Sequence, residues 1–405
     1  MRDALRELPY DFVGAVVVGG TEKLRGGEEY GVQLADRVDE GIARFAPEVV
    51  VDLSDEPVLG PVERFALAST VLASGIPYVG ADFRLDPPER RPFELPSIAV
   101  VGTGKRMGKT AVTGHLSRLL SRDRRVVVVA MGRGGPSEPE VVSVRPTVDA
   151  LVELSRSGRH AASDHLETAA LTGVQTVGCR RCGGGFAGGV ATSNVAQGAT
   201  VALGLEPDLV VFDGSGAALP PIATDRTVVV VAGHQDPAVA AGYLNAYRLL
   251  LGDLVVVTMA EEDSRSAWQA VLRSVRGVAR PGVPVVGATL RPRPVEDIRG
   301  KSVAYFCTAP VAAHGPLARH LAEDHGAHVV HVSGNLADRA ALRDELPGID
   351  ADVFLVELKA AAVDVVVEAA LARDAHVVLA ANDVSAAPGE GDLDEMLLEM
   401  SKFAS

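Results

Sequence analysis

The sequence predicts an α/β protein whose core is a mostly parallel sheet with helices on both faces, flanked by smaller α/β units. Three observations predict it. Valine-rich runs of four to six residues recur through the chain, and near-continuous apolar strands suit a sheet covered on both sides. Helix-length segments separate these runs, the alternation that builds βαβ units. One of the runs feeds into a glycine-rich loop that opens a helix, the local geometry of a phosphate-binding turn.

The elements follow in order. Val13–Val18, Val49–Leu53 and Ile76–Val79 read as strands of an N-terminal βαβαβ pattern, followed by a proline- and charge-rich linker from Asp86 to Pro92. A boundary near residue 95 gives an N-terminal α/β domain over 1–95. The central domain, 96–290, opens with the strand Ser97–Val101, the glycine loop and the helix Thr110–Leu120. Further strands are expected at Arg125–Ala130, Asp208–Phe212, Thr227–Val231, Leu254–Thr258 and Val285–Ala288. Arg291-Pro292-Arg293-Pro294 reads as a second linker into a C-terminal α/β domain, 291–405. Its strands are expected at Val303–Phe306, His328–Val332, Val353–Val356 and Val377–Ala380, and an amphipathic helix over Asp392–Met400 ends the pattern.

The chain has 405 residues, 47% of them hydrophobic and 23% charged, and a formal charge of −14. That length exceeds what one core supports, and the composition excludes a disordered chain. No apolar run reaches the roughly 18 to 20 residues that span a bilayer. The first residues, MRDALRELPYDF, carry acids where a signal peptide needs an apolar stretch. A soluble, cytoplasmic protein is expected, with no membrane partner. The acidic balance also argues against nucleic acid, which needs a basic footprint. A homodimer through the outer domains is expected.

Of 39 basic residues only six are lysine: Lys23, Lys105, Lys109, Lys301, Lys359 and Lys402. Arginine serves the routine surface roles, so a lysine marks a place where a compact point charge is wanted. Two of the six stand in the glycine loop, Gly102-Thr103-Gly104-Lys105-Arg106-Met107-Gly108-Lys109-Thr110. Its Gly-Lys-Thr tail, between strand and helix, makes it a variant Walker A loop one residue longer than the usual spacing. This identifies the central sheet as of the P-loop NTPase type, with a nucleotide held through its phosphates. Gly102 through Thr110 form the binding loop, with Lys109 reaching the β and γ phosphates and the Thr110 hydroxyl on Mg²⁺. Phe212-Asp213-Gly214-Ser215-Gly216 ends a later strand in an acid. In dethiobiotin synthetase and its ATP-dependent relatives, which the glycine loop resembles, an acid stands at that place, and the resemblance implies Asp213 as the second Mg²⁺ candidate. Thr258 or the Thr289–Pro294 stretch is placed to frame the base.

Glycine-arginine stretches between these motifs suggest a second polyanion site. They are Met131–Pro136 with Arg133, Gly158–His165 with Arg159 and His160, and Gly178–Gly185 with Arg180 and Arg181. Cys179 and Cys182 are half of a zinc pattern, and Cys307 is the only other cysteine, which excludes a four-thiolate site within the chain. A packed, reduced pair is expected there. Gly19-Gly20-Thr21-Glu22-Lys23 and Glu357-Leu358-Lys359 each follow a strand and are candidates to close over a substrate.

The loop resembles that of dethiobiotin synthetase and of the ATP-dependent cobyrinate synthases. Taken together, GTGKRMGKT, AMGRGGP, GRHAASDHLE, GCRRCGGG and FDGSGAALPP resemble the cyclic 2,3-diphosphoglycerate synthetase family, most densely from Gly102 to Pro221. That resemblance implies a ligase that uses ATP and Mg²⁺ to close a phosphoanhydride in 2,3-diphosphoglycerate, releasing ADP and phosphate. It implies a small polyanionic substrate, with Lys105, Lys109, Arg180 and Arg181 as the catalytic groups. Two other readings stay open on the residues alone: a carboxylate-activating ligase of the dethiobiotin-synthetase kind, and a nucleotide-switch ATPase acting on a protein partner.

Overall fold

The structure is a computed structural model, and it describes residues 5–19, 31–56, 58–359 and 362–403. The N-terminal elements are short. Strand β1 (Ala15–Val16) pairs in parallel with β2 (Leu34–Ala35), and after helix α1 (Val38–Phe45) strand β3 (Val50–Val51) follows. Helix α2 (Pro61–Ala73) then leads to β4 (Tyr78–Val79) and β5 (Arg84–Leu85), which form a small sheet with β3. The expected βαβαβ unit is therefore split, because β1 pairs with β2 and not with β3. The Asp52 carboxylate ties the unit together by accepting from Ser54 N at 2.8 Å, Arg64 Nε at 2.8 Å and Tyr78 Oη at 2.7 Å. Ala68, Val71, Leu72 and Tyr78 pack into the same core as Val101, Val229 and Trp268, which fastens this unit to one face of the main sheet. The stretch expected as a linker is pinned, since β6 (Arg91–Pro92) pairs in parallel with Ile222–Ala223.

Among the described residues the main sheet holds thirteen strands. Its first half comprises β7 (Ser97–Gly102), β8 (Val126–Gly132), β9 (Glu140–Val142), β10 (Gln175–Cys182), β11 (Thr192–Ser193), β12 (Leu209–Asp213), β13 (Arg226–Ala232), β14 (Leu254–Thr258) and β15 (Val285–Pro294). The parallel strands stand in the order β10-β8-β12-β7-β13-β14-β15. Helix α3 (Lys109–Leu120) covers one face through Val112, Leu116, Leu119 and Leu120, as buried valine strands require. Helices α4 (Val148–Arg156) and α5 (Asp164–Thr172) lead back to β10, and α6 (Val195–Leu203) packs on the other face against Val129 and Val177.

Two sequence readings need correction. Arg291–Pro294 is not a linker but the end of β15, and the glycine-arginine stretch Gly178–Gly185 is, as far as Cys182, part of a strand that begins at Gln175. Pro292 and Pro294 are tolerated because pairing of β15 with β14 stops at Gly287. From Ala288 onward the strand is paired on one side only, so a missing N–H on the open side costs no ladder bond. In β10, the Gly and Arg content hid a run in which Thr176–Cys179 and Arg181 are buried while Arg180 and Cys182 are exposed.

The second half of the sheet is attached at that open stretch. Strands β16 (Ser302–Phe306), β17 (His328–Ser333), β18 (Val353–Glu357) and β19 (His376–Ala386) extend the sheet in the order β15-β19-β18-β16-β17. β19 runs antiparallel to β15, with Ala288 opposite Ala386 and Pro294 opposite Ala380. β18 and β16 are parallel to β19. The C-terminal strands therefore return with their carboxyl ends directed at the carboxyl ends of the central strands. Leu151, Val152, Leu166 and Ala170 of α4 and α5 share a core with Phe354, Val356 and Leu379, which fixes the two halves against each other. Among the described residues no helix is long and apolar enough to cross a membrane.

Cys179 on β10 is fully buried against α6, where an added Cβ at Gly198 would sit 2.2 Å from its Sγ. Gly198→Ala should therefore destabilise the fold by about 1–3 kcal/mol, because overpacking outweighs the helix-propensity gain of alanine. Denaturant unfolding checks this. In the Cys179→Ala background the penalty should shrink, and strict additivity of the two changes would contradict the contact.

Candidate active site

The glycine loop leaves β7 at Gly102 and enters α3 at Lys109. Gly108 holds φ 77°, a left-handed conformation that a side chain would strain, and an added Cβ would meet Leu290 Cδ1 at 3.0 Å. Thr258 fastens the loop from the side, its hydroxyl donating to the Met107 carbonyl at 2.7 Å. It is buried, and Thr289–Pro294, the other stretch placed near the base by sequence, is taken up in β15. Thr103 is buried and donates to Gln235 Oε1 at 3.2 Å. Lys105 and Arg106 stay exposed, with the Lys105 stem beside Gly216.

β12 lies directly beside β7, so Asp213 at its end faces the start of α3. Asp213 is fully buried, and its Oδ1 accepts from Lys109 Nζ at 2.5 Å and from Thr113 Oγ1 at 2.6 Å. Its Oδ2 is buried with no hydrogen-bond partner. A buried carboxylate oxygen without a partner is costly unless a ligand completes it.

The strand after β12 in the sheet, β8, ends at Gly132, and β10 beyond it carries the arginine pair. Adjacent residues of a strand face opposite sides. Arg181 is buried, with Nη1 donating to Gly183 O at 2.5 Å and Nη2 to Ser215 O at 3.0 Å, while its buried Nε has no partner. Burial lowers its pKa, and the nearby Arg133 charge adds to that. Arg180 is exposed, and its backbone N–H donates to Asn194 Oδ1 at 2.6 Å, so the two arginines do not share one face. Arg159 is exposed and paired with Glu140 at 2.8 Å. Exposed His160 lies within electrostatic reach of Asp164. The structure thus brings Lys109, Asp213, Thr110, Arg181 and Arg133 to one edge and leaves Arg159 and Arg180 on the periphery.

Sequence reasoning missed two acids on α5. Burial pushes the Asp164 carboxyl above the usual carboxylate range, with Lys109 opposing the rise. Glu167, one turn on, is pushed up to about 7 by burial, against the pull of Lys359. Lys359 follows β18, and its Nζ stands 3.8 Å from Glu167 Oε1, whose charge raises the ammonium pKa. The signal was present in Ser163-Asp164 as a helix start and in the rarity of lysine, but only the opposed strand ends show that these groups meet. Gly20–Lys23, the other strand-following motif, lies outside the described residues.

Comparison with known proteins gives the family. The family model described as the P-loop domain of cyclic 2,3-diphosphoglycerate synthetase matches residues 97–279. Those of the C-terminal and N-terminal domains match 294–383 and 1–86. The protein from Rubrobacter xylanophilus named cyclic 2,3-diphosphoglycerate synthetase is 51% identical, covering 100% of this chain and 93% of that one. The chain belongs to the cyclic 2,3-diphosphoglycerate synthetase family. Proteins of the same name from Thermococcus gammatolerans and Methanothermus fervidus are 43% and 38% identical, over 96% and 97% of this chain and 91% of each of theirs. The family resemblance carried by the central motifs thus holds along the whole chain. Membership in this synthetase family makes the chain an enzyme with a nucleotide-binding P-loop domain, and favours neither the carboxylate-activating ligase nor the switch ATPase.

The cysteines do not face each other, because three positions along β10 put them on opposite sides. Burial pushes both the Cys179 and the Cys307 thiols up to about 12, whereas Cys182 is exposed. An aromatic disulfide reagent at pH 7.5 should therefore titrate one thiol in the native protein and three after denaturation. Rapid reaction of two or more native thiols would contradict this burial.

Proposed function

We propose that the protein uses ATP to close a phosphoanhydride between the two phosphates of 2,3-diphosphoglycerate, giving the cyclic diphosphate, ADP and phosphate. The observation that carries this reading is the row of adjacent strand ends. Lys109 and Asp213 mark a nucleotide phosphate site, and Arg181 on β10 with Arg133 just past the end of β8 lies next to it.

In the first step an oxygen of one substrate phosphate attacks the γ-phosphorus of ATP, and ADP leaves. An oxygen of the second substrate phosphate then attacks the phosphorus of the first. The ring closes, and the transferred group departs as inorganic phosphate. Lys109 would leave Asp213 for the β and γ oxygens, which carry more charge than a carboxylate, and exposed Lys105 would close on the same group. The loop amides and the start of α3 hold the phosphates at a positive helix end. Arg181, already desolvated and with a free Nε, would bind one substrate phosphate, Arg133 and His160 lie at hand for the carboxylate or second phosphate, and Arg159 and Arg180 guide the anion inward from the rim. Mg²⁺ fits the residues present, since Asp213 Oδ2 is buried and unpartnered and the Thr110 hydroxyl is on the first turn of α3. When bound, it supplies neutralisation of the developing phosphate charge. The reading includes a cytoplasmic location and the division into 1–95, 96–290 and 291–405, with the middle part catalytic.

Lys109→Ala should abolish ADP formation; removing one partner of the buried pair with Asp213 also costs stability, so circular dichroism checks that the variant is folded. Incubation of the wild type with ATP, Mg²⁺ and 2,3-diphosphoglycerate, followed by ³¹P NMR, should show the phosphoanhydride resonance growing with ADP. Substrate-dependent ADP without a cyclic product, or ATP turnover surviving in Lys109→Ala, would sink the assignment.

A further inference from the structure

Glu357 and Lys359 stand two residues apart at the end of β18, yet their surroundings differ. The strand order β19-β18-β16-β17 means that the chain leaves β16 to one side and returns through β18 on the other. Sheets of this kind bind ligands in the crevice beyond the carboxyl ends at that switch point. Glu357 bridges the crevice with its carboxylate fully engaged. It accepts from Thr308 N at 3.3 Å, Thr308 Oγ1 at 3.4 Å, Tyr305 Oη at 3.4 Å and Asn382 Nδ2 at 3.1 Å.

Lys359 is not engaged in that way. Its ammonium stands 3.8 Å from Glu167, beyond hydrogen-bond length, and 35% of the side chain remains exposed. Beside it lies a cavity of about 20 Å³, room for one water, lined by Thr110, Glu167, Thr168, Lys359 and Asn382. Thr168 Oγ1 is buried there without a partner. The C-terminal half therefore delivers a lysine with spare donors to the wall of the P-loop helix, in a chain that uses arginine almost everywhere else. Ring closure brings two charged phosphates into contact, and cations on a single side relieve that repulsion poorly. Without Lys359, this wall would present the Glu167 carboxyl with no cation beside it, an arrangement unfavourable to an anionic substrate.

We infer that Lys359 is a substrate-binding residue: it leaves Glu167 to take one phosphate of the diphosphate from the C-terminal side, while Arg181 holds the other from the central side. The inference rests on the reaction proposed above. It assigns the C-terminal half to the substrate and not to the nucleotide.

Steady-state kinetics of Lys359→Ala and Lys359→Arg test it. Lys359→Ala should raise the KM for 2,3-diphosphoglycerate at least about tenfold, the loss of one charge-assisted hydrogen bond. The KM for ATP should stay within about twofold, since uniform loss of binding to one substrate need not touch the other. Lys359→Arg, which keeps the charge and the pair with Glu167, should recover most of the affinity. An unchanged KM for the diphosphate in Lys359→Ala overturns the inference, as does an equal rise for both substrates with a lowered melting temperature. A wild-type protein that forms no cyclic product overturns instead the reaction on which it rests.

Discussion

Seven register pairs, Ala288–Pro294 against Ala380–Ala386, decide where the rest of the site can stand. Parallel sheets present all their carboxyl ends at one edge, and a further parallel strand would only lengthen that edge. The antiparallel join instead turns the C-terminal strands around, beyond the point where β15 has lost its other neighbour. Two sets of strand ends then face each other across a cleft, one carrying the phosphate loop and the other Glu357 and Lys359. The register is held by burial, since a one-residue slip would turn Ala288 and Val384 out of the core. The shared packing of α4 and α5 on the C-terminal strands keeps the halves from separating.

Within the cleft, burial and charge oppose each other. Asp213 and Lys109 sit where water is excluded, and a buried pair recovers its desolvation cost only with good geometry and further hydrogen bonds. Thr113 supplies one such bond, and the second carboxylate oxygen is left open. Arg181 shows the same pattern, with two of its nitrogens committed to carbonyls that shape the Gly183 and Ser215 turns and its Nε idle. Groups held rigid by the fold but with one valence unspent are preorganised for a ligand, because little rearrangement is required at the moment of binding. Burial raises the Asp164 and Glu167 carboxyls, and Lys109 and Lys359 oppose that rise with their positive charge. The overall charge of −14 is thus compatible with an anion site.

Much of this was legible in the sequence, for physical reasons. The valine runs located most strands of the main sheet, because a strand covered on both faces has no polar alternation to hide it, but not Glu140–Val142, Gln175–Cys182 or Thr192–Ser193. Gly-Lys-Thr between strand and helix marked the loop, and the acid after Val210-Val211-Phe212 marked Asp213. Sequence reasoning failed where local chemistry misdescribes tertiary context. Pro292 and Pro294 look like linker residues, yet a strand open on one side accepts them. Glycine and arginine in Gly178–Cys182 look like loop residues, yet they form a strand whose alternation separates Arg181 from Arg180. The pairing of Glu167 with Lys359 joins residues far apart in sequence, and no local pattern encodes it.

The central claim is that one cleft, closed by both halves of the sheet, holds both substrates. A crystal structure of the protein with a non-hydrolysable ATP analogue and 2,3-diphosphoglycerate tests it most directly. The account predicts the γ-phosphate against Lys109 and the diphosphate between the ends of the two half-sheets, with Arg181 on one side and Lys359 on the other. A diphosphate bound outside that cleft, with Lys359 still at Glu167, would contradict it.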